Sequence, residues 1–451
     1  MPTNRSDRAR SHSPPVTRRG YLAATGSASV LGLAGCLGDD TFDETELVFW
    51  HQESVPHRVD VFDDFIDRFN EEHDDVQVTQ EPQPWDEVFG ALTSALQADA
   101  APDFMFSLAP FTMTFQAMGE LVDVSELADR IDSEFGYFDG VMDAFQYDGG
   151  TWGVPMWDMI YLLHYRESVY GEGWSPSDTE DWLDAAEEHT NDAYGYILPA
   201  NENLWTTQHV YQMMVAHDAY VYGPDGGIMF DTPETVDALD FYQRMFAAAS
   251  PSDATAWDWA DWERALLQET SMSTTGFTSW IRDLQETDHH DDWGASPIPT
   301  ADGDGQSIHY VNNIMVFNED VLDEIGIWLE WMHQPETYGD WLANFEPTLF
   351  LPVTEAGEGS DAYWEHDLIS QYEEMIQAQF NEIPNATLYG FRDMHIEEDL
   401  YLPSVGELEG SHVLASIGQE MIVEDLSPEE AAEMGQDRLE NALEVEASDH
   451  L

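Results

Sequence analysis

Cys36, a pair of adjacent histidines set among carboxylates, and a tryptophan-rich cluster are the residues of this 451-residue sequence whose types and spacing suggest chemistry. Tested against known catalytic spacings, they offer little. No Gly-x-Ser-x-Gly turn presents a nucleophile, no His-Glu-x-x-His pair is set to hold zinc, and no phosphate-cradling loop occurs. Lysine is absent, which removes Schiff-base and lysine-assisted phosphate chemistry. An extracellular glycosidase would need two spaced carboxylates, but among 91 Asp and Glu residues almost any two could form a pair, so the spacing selects none. Asp288-His-His-Asp-Asp292 has metal-ligand residue types, yet adjacent histidines do not easily face one ion, and the run reads as a solvated loop. Trp257-Asp-Trp-Ala-Asp-Trp262 fits a helix start with a half-buried face as readily as a stacking platform, and core is the preferred reading.

The position of the lone cysteine is more specific. Arg18-Arg19 precede a short run rich in Ala, Gly and Ser that ends in Leu33-Ala34-Gly35-Cys36. A positive start, an apolar core of about a dozen residues and a small-residue boundary make an export signal, and paired arginines suit the twin-arginine route. A membrane span would need about twenty apolar residues, and no later run approaches that. The Leu-Ala-Gly-Cys stretch resembles the lipobox of exported lipoproteins, in which cleavage precedes a cysteine whose sulfur takes a lipid. Residues 1–35 are accordingly read as a signal peptide, Cys36 as the lipidated first residue of the mature chain, and residues 36–45 as a tether. The anchor would hold a soluble domain at the outer face of the cytoplasmic membrane. With its one cysteine so used, the chain forms no internal disulfide, and burial must supply its stability. Roughly 410 remaining residues exceed one ordinary core, so two domains are expected.

The formal net charge is -77, and the 14 basic residues are all arginine. Like charges repel, so binding to nucleic acid or to anionic headgroups is excluded as a function class. Yet 43% hydrophobic residues and 16 Trp argue for a packed protein rather than an acidic disordered one. Self-repulsion on this scale is tolerable where molar salt shortens the Debye length to about 3 Å. The composition therefore implies a halophilic source, archaeal in kind.

Glu46–Trp50 reads as a strand, Val59–Phe69 as a helix, Val76–Thr79 as a strand, Trp85–Ala98 as a helix and Pro102–Phe106 as a buried strand. That alternation favours a parallel sheet with covering helices, whose binding crevice lies beyond the carboxyl ends of its strands. Further on, Ile160–Tyr165 and Ser271–Gly276 read as strands, and Asp192–Leu198 as the start of a second strand-helix set. Pro233–Ala248 reads as a helix, Ile308–Phe317 as a chain crossing back, Val321–Phe345 as helical, and Ser427 as the cap of a last helix.

Seven segments in order, LVFWH (47 to 51), APDFMFS (101 to 107), MGELVDVSEL (118 to 127), YDGGTWGVPMWDMIYLLHYRE (147 to 167), YGPDGGIMFDTPETVDALDFY (222 to 242), GASPIPTADG (294 to 303) and SPEEAA (427 to 432), make the chain resemble the extracellular solute-binding proteins of ABC importers. The closest resemblance is to the group that binds sugars and oligosaccharides. It implies an α/β, two-lobed periplasmic-binding-protein-like fold with a hinged interlobe cleft. Lobe 1 would comprise residues 46–158 plus 313–352, and lobe 2 residues 159–312 plus 353–451. Crossings are placed near Asp158–Leu162, Tyr310–Ile314 and Leu351–Thr354. The implied activity is capture of a small-molecule sugar ligand by lobe closure and its delivery to permease subunits, by a monomer that uses no cofactor or metal and is not an enzyme. The alternatives are a non-sugar solute such as glycerol phosphate or a polyamine, and the glycosidase. Phosphate esters need concentrated donors, often arginine, and this chain has few.

A sugar site needs aromatic faces for C–H surfaces and fixed polar groups for hydroxyls. His51 and Gln52 follow the first strand at its carboxyl end, with Trp50 as its buried last residue. The resemblance adds Ser107 and Phe111 after the third strand, Trp157 and Asp158 at the first crossing, and Asn312 and Asn313 in the second. It also adds Trp280, at the end of Gly276-Phe-Thr-Ser-Trp280, and Arg392 in the carboxyl-terminal portion, where a salt-bridge role competes. Trp205, opening a helix after Asn201-Glu-Asn203, and Trp85 complete the set, the latter with helix packing as its rival. The charge generates one prediction: a circular-dichroism melt in millimolar salt falls well below the melt in molar salt, and equal melting points would remove the halophilic reading.

Overall fold

Leu47, Phe49 and His51 alternate with more exposed neighbours, and the strand they predict forms as β1 (Thr45–His51). The computed structural model that shows it describes residues 45–53, 56–85, 87–303, 305–391 and 401–443. Cys36, the signal segment and Arg392 lie outside the described residues.

The remaining strands are β2 (Val76–Pro82), β3 (Phe104–Leu108), β4 (Gln146–Tyr147), β5 (Gly150–Thr151), β6 (Val154–Trp157), β7 (Leu162–Arg166), β8 (Ser273–Gly276), β9 (Trp293–Ser296), β10 (Ile308–His309), β11 (Asn312–Val316) and β12 (Thr387–Leu388). A five-stranded sheet runs β2-β1-β3-β11-β6, with β2 and β3 parallel to β1 and with β11 antiparallel to both β3 and β6. β3 lies at its centre, and all five of its residues are buried, as a strand covered on both faces requires. A second sheet runs β8-β7-β9, wholly antiparallel. Helices cover both sheets, giving the mixed α/β, two-lobed architecture of periplasmic binding proteins.

Apolar spacing explains the covering helices. The helix Pro56–Glu72 buries Phe62, Phe65, Ile66 and Phe69, three and four residues apart, against the first sheet. The helical run expected over Val321–Phe345 divides into Leu322–Met332 and Pro335–Phe345, because Pro335 lacks an N–H and drives Gln334 to an extended ψ of 130°. Trp85 sits in a turn, and its helix begins only at Val88. Asp192–Leu198 touches the second sheet through the isolated bridges Tyr194–Ser271 and Ile197–Thr274 and forms no full strand. The last helix, Pro428–Ala442, carries the Ser427 to Glu430 capping box.

Beyond residue 352 the chain packs on both sides. Asp361–Trp364 lies on Pro335–Phe345 beside the first sheet, and Glu373–Glu382 lies on β9 of the second. Val405–Ser411 returns to Ala109–Ala117, whereas Val413–Glu424 and Pro428–Ala442 cover Leu204–Val215 and Pro233–Ala249 respectively. No helix among the described residues is long and apolar enough to cross a membrane.

Trp341 centres an aromatic core in the first half. It is wholly buried, with Phe345 at 5.3 Å, Trp157 at 5.5 Å, Phe106 at 5.9 Å and Phe62 at 6.0 Å between ring centroids. Trp341→Ala should cost about 3–5 kcal/mol in denaturant unfolding at molar salt, the price of a cavity among rings that cannot collapse.

Candidate functional site

Two segments, between β6 and β7 and between β10 and β11, link the two sheets, and their backbones bond to one another and to Leu351 beside them. Asp158 and Leu351 exchange N–H···O bonds of 2.9 Å in each direction. Tyr310 donates to the Met159 carbonyl at 2.7 Å, and Tyr161 to the Ile308 carbonyl at 2.9 Å. The Asp158 carboxylate is buried here, 2.8 Å from His309 Nδ1 and accepting the Met159 N–H at 2.8 Å. Tyr161 and Tyr310 thereby leave these strands at neighbouring points.

Their rings begin an aromatic cluster at the junction of the sheets. Tyr161 meets Phe277 at 4.5 Å and Tyr310 at 5.3 Å, and Tyr310 meets Phe277 at 5.1 Å and Tyr389 at 4.3 Å. Tyr211 and Phe391 extend it, 5.4 and 5.0 Å from Tyr389. Gly276, at φ 141°, makes the bend by which the chain leaves β8 and places Phe277 there; a side chain at that position would be strained. Polar groups are threaded through the rings. Tyr161 donates to Gln208 Oε1 at 2.9 Å, and Tyr389 donates to Glu409 Oε2. Burial pushes the Glu409 carboxyl up to about 8 and holds the Tyr161, Tyr310 and Tyr389 phenols well above their ordinary range. Glu409 Oε1 and Asn312 Oδ1 are buried without a hydrogen-bond partner.

An ionic network forms a second polar group. Glu346, 1% exposed, accepts from Arg58 Nε at 2.8 Å and lies 3.1 Å from His57 Nε2 and 3.5 Å from Arg282 Nη1. Arg58 also donates to Glu53 at 2.5 Å. Glu53, His57, Arg58 and Glu346 adjoin the first sheet, while Arg282 follows β8 of the second, so Glu346 joins elements of both. Burial works to raise the Glu346 carboxyl, but Arg58, His57 and Arg282 outweigh it and hold the group below its ordinary value. Glu263, which accepts from Trp259 Nε1 at 2.8 Å and Ser279 Oγ at 2.7 Å, is raised by burial.

The residues expected from the sequence are dispersed among these features and the cores. His51 is buried, 2.6 Å from Gln80 Oε1 and with Nδ1 unpartnered, while Gln52 donates to the Phe106 carbonyl at 2.6 Å. Ser107 is buried inside β3, and Phe111 lies in the helix Ala109–Ala117, packed with Val88, Leu92, Met105 and Phe115. Trp85 is half-buried in its turn. Trp157 stands 4.6 Å from Phe106 and 4.7 Å from Phe350, its indole N–H unpartnered. Trp205 packs on Trp262 at 5.2 Å and Trp259 at 5.8 Å. Trp280 packs on Trp293 at 4.6 Å and donates to the Phe277 carbonyl at 2.9 Å. Asn313 exchanges bonds with Thr112, and Asn312 donates to the Tyr310 carbonyl at 3.3 Å. Tyr161, Phe277, Tyr310, Tyr389, Glu409 and the Glu346 network were not singled out from the sequence. Phe277 lies within a segment that was, three residues before Trp280, and Tyr389 lies three residues before Arg392.

Asp292 takes Arg166 Nε at 2.7 Å and Ser168 Oγ at 2.5 Å, His289 lies 3.1 Å from Glu269, and no cluster among the described residues is arranged to hold a metal ion.

Comparison with known proteins adds relatives to this geometry. A family model described as bacterial extracellular solute-binding protein matches residues 64–369. YcjN of Escherichia coli (strain K12), named as a candidate ABC transporter periplasmic-binding protein, is 22% identical over 91% of this chain and 96% of its own. An arabinooligosaccharide-binding protein of Halalkalibacterium halodurans is 24% identical over 46% of each chain. Among solved structures, a sugar transporter protein of Arthrobacter chlorophenolicus A6 with bound laminaribiose superposes with a TM-score of 0.74 at 16% identity, covering 88% of this chain and 99% of its own. Maltose-bound MalE3 of T. maritima gives 0.73 at 14% identity over 88% and 99%.

The Glu346 network carries a pH prediction. Its folded-state carboxyl is depressed, so its stabilisation is present above the unfolded value of about 4.5 and is lost as pH falls through the lower folded value. Glu346→Ala should cost about 3 kcal/mol near neutrality, by removing the buried carboxylate that Arg58, His57 and Arg282 share and leaving Arg58 with Glu53 alone, and should shrink that deficit in melts taken below about pH 4.

Proposed function

The chain belongs to the bacterial extracellular solute-binding protein family, and from that premise we propose that it captures a neutral sugar, polyol or short oligosaccharide at the junction of its two sheets and hands it to the permease of an ABC importer. The observation that carries this reading is the convergence of Tyr161, Phe277, Tyr310 and Tyr389, with buried polar atoms, Glu409 Oε1 and Asn312 Oδ1, that have no partner among the described residues. Rings of this kind take the C–H faces of a sugar, and unpaired oxygens such as Asn312 Oδ1 take its hydroxyls. The relatives named for arabinooligosaccharide, laminaribiose and maltose support the same class.

Opening and closing would use the segments that link the sheets as the hinge, with residues 46–158 plus 313–352 forming the bulk of one lobe and 159–312 the bulk of the other, while the chain beyond 352, first assigned wholly to the second lobe, divides between them. Closure presents both lobes to a permease in one fixed relation. Asp158 and Asn312, on the segments that link the sheets, remain proposed contributors beside this cluster. Lipidation of Cys36 after twin-arginine export would tether a monomer at the outer membrane face, in the salt-rich surroundings that the charge implies. No step alters the solute chemically.

A polyamine suits an aromatic cage in principle through cation–π attraction. Burial pushes the Glu409 carboxyl up to about 8, however, which disfavours the carboxylate that a buried cation would need beside it. Thermal-shift measurements in molar salt over maltose, laminaribiose, arabinooligosaccharides, ribitol, glycerol phosphate and spermidine test the class. A responsive sugar or polyol at about 100 Kd should add about 2.7 kcal/mol and raise the melting point by a few degrees. A response to spermidine or glycerol phosphate alone would overturn the substrate class, and hydrolysis of a responsive oligosaccharide would favour a glycosidase instead.

A further inference from the structure

We infer that Glu409 is the hydrogen-bond donor at the floor of the site: its Oε1–H group ties to an acceptor oxygen of the sugar while the Tyr389 hydroxyl holds Oε2. The inference rests on the sugar reading above and deepens it. Glu409 belongs to the short helix Val405–Ser411, whose Val405, Gly406, Leu408 and Glu409 are buried while Glu407 faces outward. A carboxyl on that inner face is a departure from the pattern, since an apolar residue would fill the place without desolvating a polar group. The helix is also seated tightly. A Cβ on Gly406 would come 2.4 Å from Thr114 Oγ1, and the Gly406 N–H donates to that oxygen at 2.8 Å, which fixes where Glu409 emerges.

Glu409 is wholly buried, and no cation among the described residues pairs with it. Its Oε2 is used by Tyr389, and its Oε1 has no partner. Buried polar atoms are nearly always satisfied, so an oxygen held beside stacking rings is the place for a ligand atom. The groups facing it are Tyr161 and Tyr310 from the linking segments, Tyr389 from the end of β12, and Tyr211 from the helix Leu204–Val215, which also carries His209 against Tyr161. Glu407 and His412 flank it in sequence. Burial holds His209 near 4 and the phenols Tyr161, Tyr310 and Tyr389 far above neutrality, so Glu409, pushed up to about 8, is the group of this cluster that titrates between. Below that value the carboxyl donates; above it the proton is gone and an acceptor oxygen on the ligand meets a carboxylate.

Calorimetric titration of the full chain in molar salt tests this, using whichever of maltose, laminaribiose and ribitol responds. Wild-type affinity should be level from about pH 6 to about pH 7.5, then fall about tenfold per pH unit above about pH 8. Glu409→Gln, whose amide N–H₂ still donates while its oxygen accepts from Tyr389, should stay within about threefold of wild type near pH 6 and lose the alkaline fall. Glu409→Met, which has no donor, should bind more than about tenfold more weakly than wild type near pH 6 and show no further alkaline fall, with an unchanged far-UV circular-dichroism spectrum. If the methionine variant fails to fold, the wild-type and glutamine profiles decide alone. A wild-type profile that is level through about pH 9, or one that the glutamine variant copies, overturns the inference, leaves Glu409 with a buried water only, and leaves the sugar reading standing. Silence toward all three probes overturns both.

Discussion

Backbone pairing at the narrow strip between the two sheets is the constraint on which the rest of the structure depends. Asp158 with Leu351, and Met159 with Tyr310, bond across a narrow strip where the chain passes between the sheets. Because the strip is only a few residues wide, whatever leaves it is placed with little freedom. Tyr161 and Tyr310 leave it side by side, and Asp158 with His309 fills the polar interior of the strip itself.

Electrostatics is arranged around scarcity. Every arginine among the described residues is within ion-pair distance of a carboxylate: Arg68 with Asp340, Arg130 with Glu330, Arg166 with Asp292, Arg244 with Glu180, Arg264 with Asp261 and Arg438 with Glu420, besides Arg58 and Arg282 on Glu346. Most of these pairs are exposed and contribute little each, the more so in salt. The buried one is different, since Glu346 gathers two arginines and a histidine from both sides of the molecule. The aromatic cluster stands apart from this charge, and burial disfavours the charged form of its carboxyl. The chain thus pairs an acidic composition with an interior aromatic cluster whose carboxyl is raised by burial.

Much of the fold was legible in the linear pattern. A short apolar run marked β1, alternation marked β2, a buried run marked β3, and helical spacing after Val59 and an opening proline at 233 marked Pro56–Glu72 and Pro233–Ala249. The site was less so. Tryptophan in a strand end or a helix start has the same sequence signature whether it faces a core or a cleft, and Trp157, Trp205 and Trp280 are all deeply buried among other rings. Within Gly276–Trp280 it is Phe277 that reaches the tyrosines, because the bend at Gly276 sends the first side chain inward and Trp280 onto Trp293. Glu409 is one acidic residue among 91, and nothing in its neighbours along the chain sets it apart.

Taken alone, the order of residues determined the class of fold, the acidity and the family, since periodicity, composition and ordered landmarks are local or summed properties that survive without coordinates. Only the tertiary structure decided which aromatics meet across the two sheets and which carboxyl loses its water. Those outcomes depend on residues such as 161, 277, 310, 389 and 409, separated by tens to hundreds of positions, arriving at one place. Their chemistry comes from that meeting, through burial and the absence of a counter-charge.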